Sequence, residues 1–233
     1  VSALMEARCE YLLRLGDDAL ILGQQLGLWT GHGPVLEEDI ALTNIGLDQI
    51  GQARAWLTLA GKAEGKGRDE DRLAYFRDQS EFRNALLCER PNGHFGDTLV
   101  RQFLFDAYAV PVHAGLSRSS DPDIAAIARK SAKESAYHLR HSRAWMIRLG
   151  DGTEESHDKV QASLDDLLPY TADLFHSDAV TEQAAREGWG ADPATFRCPW
   201  DAAVDEMCAE AGLTRPEPAP EQVGGREGRH TEQ

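Results

Sequence analysis

Asp121 followed by Pro122 opens one segment of this chain, and Gly150 in GDG closes it. An N-capping aspartate, a proline at the first helical position and a terminal glycine are start and stop signals for one helix, so the pattern predicts a helix over 121–149. Other segments follow the same period. Leu4, Tyr11, Leu15 and Leu22 repeat at helical spacing until GLWTGHGP at 27–34 breaks the pattern. A second helix is expected over 36–60, opened by Glu37, Glu38 and Asp39 at its positive dipole end and stopped by GKAEGKG. A third amphipathic segment spans 69–89, ERPNGHFGD follows it, and a fourth covers 98–119 with a bend expected at Pro111. Weaker helical patterns cover 154–176, distorted at Pro169, then 178–188 and 199–212. No alternating strand pattern competes with them. Long helices joined by short loops imply an all-α bundle over 1–212. From Thr214 the chain is too rich in Pro, Gly and charge to build a core of its own, and 213–233 reads as a tail or a partner-binding arm.

At 233 residues the chain can bury one sizeable core. Its net charge of -15 and the lack of any Lys/Arg run argue against a nucleic-acid partner. No stretch approaches the roughly 20 apolar residues of a membrane span, and no secretory leader pattern opens the chain. The expectation is a soluble, cytoplasmic protein. Cys9, Cys88, Cys198 and Cys208 include no CxxC pair, so neither a zinc site nor a disulfide framework is expected.

Helical spacing also identifies the polar residues that share a stripe with the core. On the first helix Asp18 lies on the stripe of Tyr11, Leu15 and Leu22. In LTNIGLDQIGQAR, residues 42–54, Gln49 and Gln52 lie three apart on the stripe of Leu42, Ile45 and Trp56, while Gly46 and Gly51 leave room for close packing. Asp106 falls on the stripe of Leu99, Phe103, Val110 and His113. Ser135 and His138 share a stripe with Ile124, Ala128, Ser131, Ser142 and Trp145. The order is acid, polar pair, acid, polar pair. Di-iron carboxylate bundles place one Glu on each of two helices and Glu-x-x-His on each of the other two. Iron favours carboxylate and imidazole ligands, and a three-residue spacing aims two of them at one place.

Here the ligand pattern is eroded. Gln49 and Gln52 put neutral amides where an anion and an imidazole belong, and Ser135-x-x-His138 keeps only the histidine. Of six positions, Asp18, Asp106 and His138 keep ligand chemistry, and both carboxylates of the paired motifs are missing. Two divalent ions would repel each other with little to offset it, so no di-metal centre is expected. If Asp18 and Asp106 face each other, either an imidazolium at His138 offsets their charge or one carboxyl is protonated. A hydrogen-bonded polar network would then hold the four helices in register. The bland alternatives are an Asp18 at the stripe edge beside Asp17, glutamines shared with a neighbour, an ordinary ion pair at Asp106, and an i,i+4 pair between Glu134 and His138.

LRLGDDALILGQQLGLWTGHGP, ALTNIGLDQIGQARAWL, ERPNGHFGDTLVRQF, KESAYHLRHS and GGREGRHTE together resemble the structural, non-catalytic C-type subunit of the bacterial multicomponent phenylacetyl-CoA ring-1,2-epoxidase. The resemblance covers almost the whole chain. It implies a ferritin-like fold, pairing with a di-metal catalytic subunit that binds dioxygen and phenylacetyl-CoA, and no catalytic residue or cofactor in this chain. A reductase carrying flavin and an iron-sulfur cluster would supply electrons from NADPH. Family members continue past HTE with a further helical stretch, whereas this chain stops at Gln233, which implies a truncated C-terminus. Two rival readings remain: an autonomous oxidase built on Asp18, Asp106, His138 and Glu134 or His141, and a ferritin-like module holding a small apolar ligand. For the partner interface, the third helix and the loop 90–97 are the candidates by composition.

Overall fold

The computed structural model describes residues 3–231, and every regular element among them is helical, as the spacing predicts. The order is α1 (Ala3–Gly27), α2 (Leu36–Glu64), α3 (Glu70–Tyr75), α4 (Leu86–Glu89), α5 (Phe95–Leu116), α6 (Pro122–Gly150), α7 (Glu154–Leu167), α8 (Ala179–Glu187) and α9 (Arg197–Ala211). Short 3-10 turns occupy Gln79–Glu81, Leu168–Phe175, Pro193–Phe196 and Gly225–Glu227.

The four long helices close a ring in the order α1, α2, α6, α5, each antiparallel to its neighbours. Contacts fix both order and direction. Gly16 lies against Leu57 and Gly23 against Gly46. On the next seam Glu38 meets His141 and Gln52 meets Glu134. Across α5 and α6, Asp106 meets Ser142 and His113 meets Ser135, and Trp29 closes the ring on Thr98. One long crossover, residues 65–94, joins α2 to α5. A Cβ on Gly23 would stand 3.1 Å from the Gly46 carbonyl oxygen, and one on Gly46 3.3 Å from that of Gly23, so these two glycines let α1 and α2 approach closely. Gly51 does no such work. Its Cβ would meet only Lys130 Nζ, at 3.9 Å.

Helix ends follow local chemistry. Asp121 caps α6 through the N–H groups of Asp123 and Ile124. The fourth helix starts earlier than expected, because His94 Nδ1 accepts from the Asp97 N–H while Asp97 accepts from the His94 N–H. It runs through Pro111 to Leu116. Helix α2 continues past residue 60 to Glu64 and ends at Gly65, whose φ of 70° lies in the left-handed region. The distortion expected at Pro169 takes the form of a switch to 3-10 geometry.

Two expectations are corrected. The segment 69–89 is not one helix. Asp17 on α1 accepts from the Arg77 guanidinium and the Arg83 N–H, and Asp18 accepts from the Ala85 N–H. Those long-range bonds hold the backbone open between α3 and α4, and local periodicity cannot compete with them. Nor is the segment from Thr214 a free arm. Gly224 and Gly225 donate to Asp173, Gln222 donates to the Pro169 carbonyl, and Thr231 donates to Glu89. Arg226 is buried among α1, α5 and the crossover. The segment needs no core of its own because it completes this one.

Candidate functional site

The six polar positions are buried inside the ring, and each is held differently. Asp18 Oδ1 accepts from Ala85 N at 2.7 Å and from Arg226 Nη1 at 2.9 Å, while Oδ2 accepts from Arg226 Nη2 at 2.8 Å. Three N–H donors on two oxygens suit an ionised carboxylate. Burial pushes the Asp18 carboxyl up, Arg226 opposes that, and the aspartate in turn holds the guanidinium charged.

Asp106 has no cation beside it. Gln102 Nε2 lies 2.7 Å from Oδ1 and Ser142 Oγ 2.8 Å from Oδ2. Burial pushes its carboxyl up to about 8, with those two hydrogen bonds opposing, so it is a neutral acid at pH 7. Of the two ways to settle the charge of the aspartates, protonation therefore applies at Asp106. Asp18 is offset by Arg226 and not by His138.

One member of each polar pair reaches across the seam between α2 and α6. Gln52 Nε2 donates to Glu134 Oε2 at 2.9 Å, and His138 Nε2 lies 3.1 Å from Asp48 Oδ2. His141 Nε2 lies 2.8 Å from Glu38 Oε2. Burial holds the His138 imidazole below its usual value, with Asp48 opposing. Ser135 Oγ lies 2.9 Å from His113 Nδ1, and burial pushes that imidazole down to about 4. The i,i+4 pairing of Glu134 with His138 does not form, since Glu134 meets Gln52 and Lys130.

Asp18, Gln49, Gln52 and His113 line a common cavity of about 20 Å³ between α1, α2 and α5. That is room for one water. Gln49 Oε1 has no hydrogen-bond partner among the described residues. The two glutamines do not exchange hydrogen bonds across the core, and the expected single network resolves into separate pairs. Asp106 and His138 lie outside this cavity lining.

These residues do not fit two metal ions. Both oxygens of Asp18 are committed to a cation, those of Asp106 are held by Gln102 and Ser142, two positions are amides, and His138 Nε2 is aimed at Asp48. No group of three or more His, Cys, Asp or Glu among the described residues is placed to hold a metal. The cysteines are free, with Cys9, Cys88 and Cys208 buried.

The helical stripes put Asp18 and His113 toward the core but carry no sign of Arg226, 208 residues from Asp18. Asp48 lies beside the buried stripe of α2, and Glu38, four residues before Leu42, reads from sequence only as a helix-start carboxylate. The only signal for them was the presence of two histidines on α6 that need partners.

A sequence profile of the family described as "Phenylacetic acid catabolic protein" matches residues 2–233. The chain belongs to that family. Within it, the C subunit of the 1,2-phenylacetyl-CoA epoxidase of Escherichia coli (strain K12) is 48% identical over 222 residues, covering 95% of this chain and 89% of that protein. The ferritin-like fold implied by the resemblance extends to a solved structure, "Protein 19 with aldehyde deformylating oxidase activity from Synechococcus". That structure matches with a TM-score of 0.64 and 16% identity, covering 92% of this chain and 94% of its own. At that identity the likeness concerns the fold alone. No helix among the described residues is long and apolar enough to cross a membrane.

Proposed function

We propose that this chain is the structural C-type subunit of a phenylacetyl-CoA 1,2-epoxidase, pairing with the di-metal catalytic subunit in aerobic phenylacetate breakdown and carrying no metal centre itself. The observation that carries the reading is the 48% identity to the C-type epoxidase subunit of Escherichia coli across 95% of the chain. The site chemistry agrees with it. Every side chain that kept ligand character is engaged by a protein partner, and a cavity of about 20 Å³ leaves no room for an organic ligand. The catalytic subunit would hold the iron pair, and a reductase would bring flavin, an iron-sulfur cluster and NADPH. This chain would contribute architecture in the cytoplasm.

Co-expression with the catalytic subunit, followed by mass measurement and metal counting, tests the proposal. The expected result is a stable heteromer whose metal is accounted for by the partner, with the isolated chain binding well under one equivalent of iron or manganese. Two equivalents bound in the core of the isolated chain would overturn it.

A further inference from the structure

Helix α2 is apolar on two faces. One face carries Leu42, Ile45, Trp56 and Leu57 into the core. The other leaves Leu36 at 72%, Ile40 at 52%, Leu47 at 64% and Ile50 at 36% exposed. The steps of four, seven and three residues between them match a 3.5-residue seam, with Thr43 and Arg54 in the remaining positions. Residues 36–54 of a helix extend about 27 Å. Scattered exposed apolar residues need no explanation, but four in register along about four turns do.

Next to the seam, α6 presents a ridge of the opposite chemistry to the rest of the molecule. Lys130, Lys133 and Arg140 are exposed at helical spacing, with Tyr137 between them and the Arg140 guanidinium 5.2 Å from its ring centroid. The two features adjoin, because Gly51, one residue after Ile50, faces Lys130 Nζ. Gly51 keeps the surface low beside the seam, which explains why that glycine serves no packing inside the bundle. Lys130 is paired with Glu134, so in a chain of net charge -15 it is Lys133 and Arg140 that select for an acidic counterpart.

We propose that the α2 seam and the α6 ridge form one docking face, and that its occupant is a helix of the epoxidase's ferritin-like catalytic subunit with a matching apolar seam and an acidic flank. This identification of the partner rests on the subunit reading above. The face differs from the third segment and the loop 90–97 suggested by composition. On α3 and just after it, Tyr75 and Phe76 are also exposed, but they form no seam.

The experiment co-expresses the full chain with the catalytic subunit and compares Ile40→Glu, Leu47→Glu, Lys133→Glu and the control Phe76→Glu. Complex mass and dissociation constant are read alongside circular dichroism and melting temperature. The seam variants should melt like the parent yet bind at least 100-fold more weakly. Lys133→Glu should weaken binding several-fold at low salt and less at high salt. The Phe76→Glu variant should bind like the parent. Seam variants that bind normally would overturn the docking face while leaving the subunit reading intact. A parent chain that never joins the catalytic subunit would overturn both. A parent chain that self-associates through the seam, with the heteromer unaffected by seam substitutions, would assign the face to a second copy and overturn the proposed occupant.

Discussion

Asp106 sits in the bundle as a carboxylic acid because burial penalises its charge more than two neutral hydrogen-bond donors can repay. The unfolded chain, with that carboxyl near 3.8, has released the proton by pH 5. Between about pH 4 and 8 the folded state therefore holds one proton more at this position, and stability falls as pH rises by about 1.4 kcal/mol per pH unit. His113 works in the opposite sense. Its imidazole, pushed down to about 4 in the fold against 6.5 in the unfolded chain, makes stability rise with pH over that lower window. Between about pH 4 and 6.5 the two contributions offset each other, and above it only the Asp106 loss of the two remains. Asp106→Asn removes the loss and keeps a group that Ser142 and Gln102 can bond. Urea denaturation at pH 5 and pH 8 should show the variant gaining stability relative to the parent by about 2 kcal/mol or more across that interval. A constant difference between the two proteins at both pH values would mean that Asp106 is ionised in the fold.

At the scale of elements, the C-terminal segment and the crossover are held by the adjacent carboxylates of α1. Asp17 takes Arg77 and the Arg83 N–H, and Asp18 takes Arg226 and the Ala85 N–H. Removing one member of a buried ion pair leaves an uncompensated charge and costs about 3–5 kcal/mol. Arg226→Met should therefore cost that much, and the double variant with Asp18→Asn should recover part of it. Hydrogen exchange locates the damage. Amides at Gly224 and Gly225 should lose protection first, with α5 and α6 spared until global unfolding. Equal loss of protection throughout would mean that the segment is not a separable element. Sequence legibility divides along the same line. Start and stop residues around Asp121 and Gly150 have local causes, so α6 was readable to within a residue. The break after Tyr75 and the docking of Arg226 have causes 60 and 208 residues away, and periodicity carries no record of a distant partner. For the same reason the stripes place Asp18, Gln49, Gln52, Asp106, Ser135 and His138 in the interior, while the pairing of Gln52 with Glu134, His138 with Asp48 and Asp18 with Arg226 emerges only from the fold.

For the molecule as a whole, the proposed reading of a chain without a metal centre makes lost ligands only part of what would separate this bundle from a metal-binding one. Gln49→Glu, Gln52→His and Ser135→Glu together would rebuild two Glu-x-x-His pairs, the second with His138, beside Asp18 and Asp106, giving the four carboxylates and two imidazoles that a di-iron bundle uses. In this chain the rebuilt set still faces an occupied Asp18, because Arg226 holds both its oxygens and brings a positive charge to the edge of the cavity. Cations compete with cations for one carboxylate. The triple variant should therefore take up fewer than two equivalents of iron or manganese by elemental analysis. Adding Arg226→Met should raise uptake and shift melting upward when metal is supplied, since the metals would then provide the charge that the arginine supplied. Two equivalents bound by the triple variant with Arg226 intact would mean that the C-terminal segment exerts no hold on the site. If instead uptake requires the fourth substitution, the segment that seals the bundle is also what keeps it from binding metal.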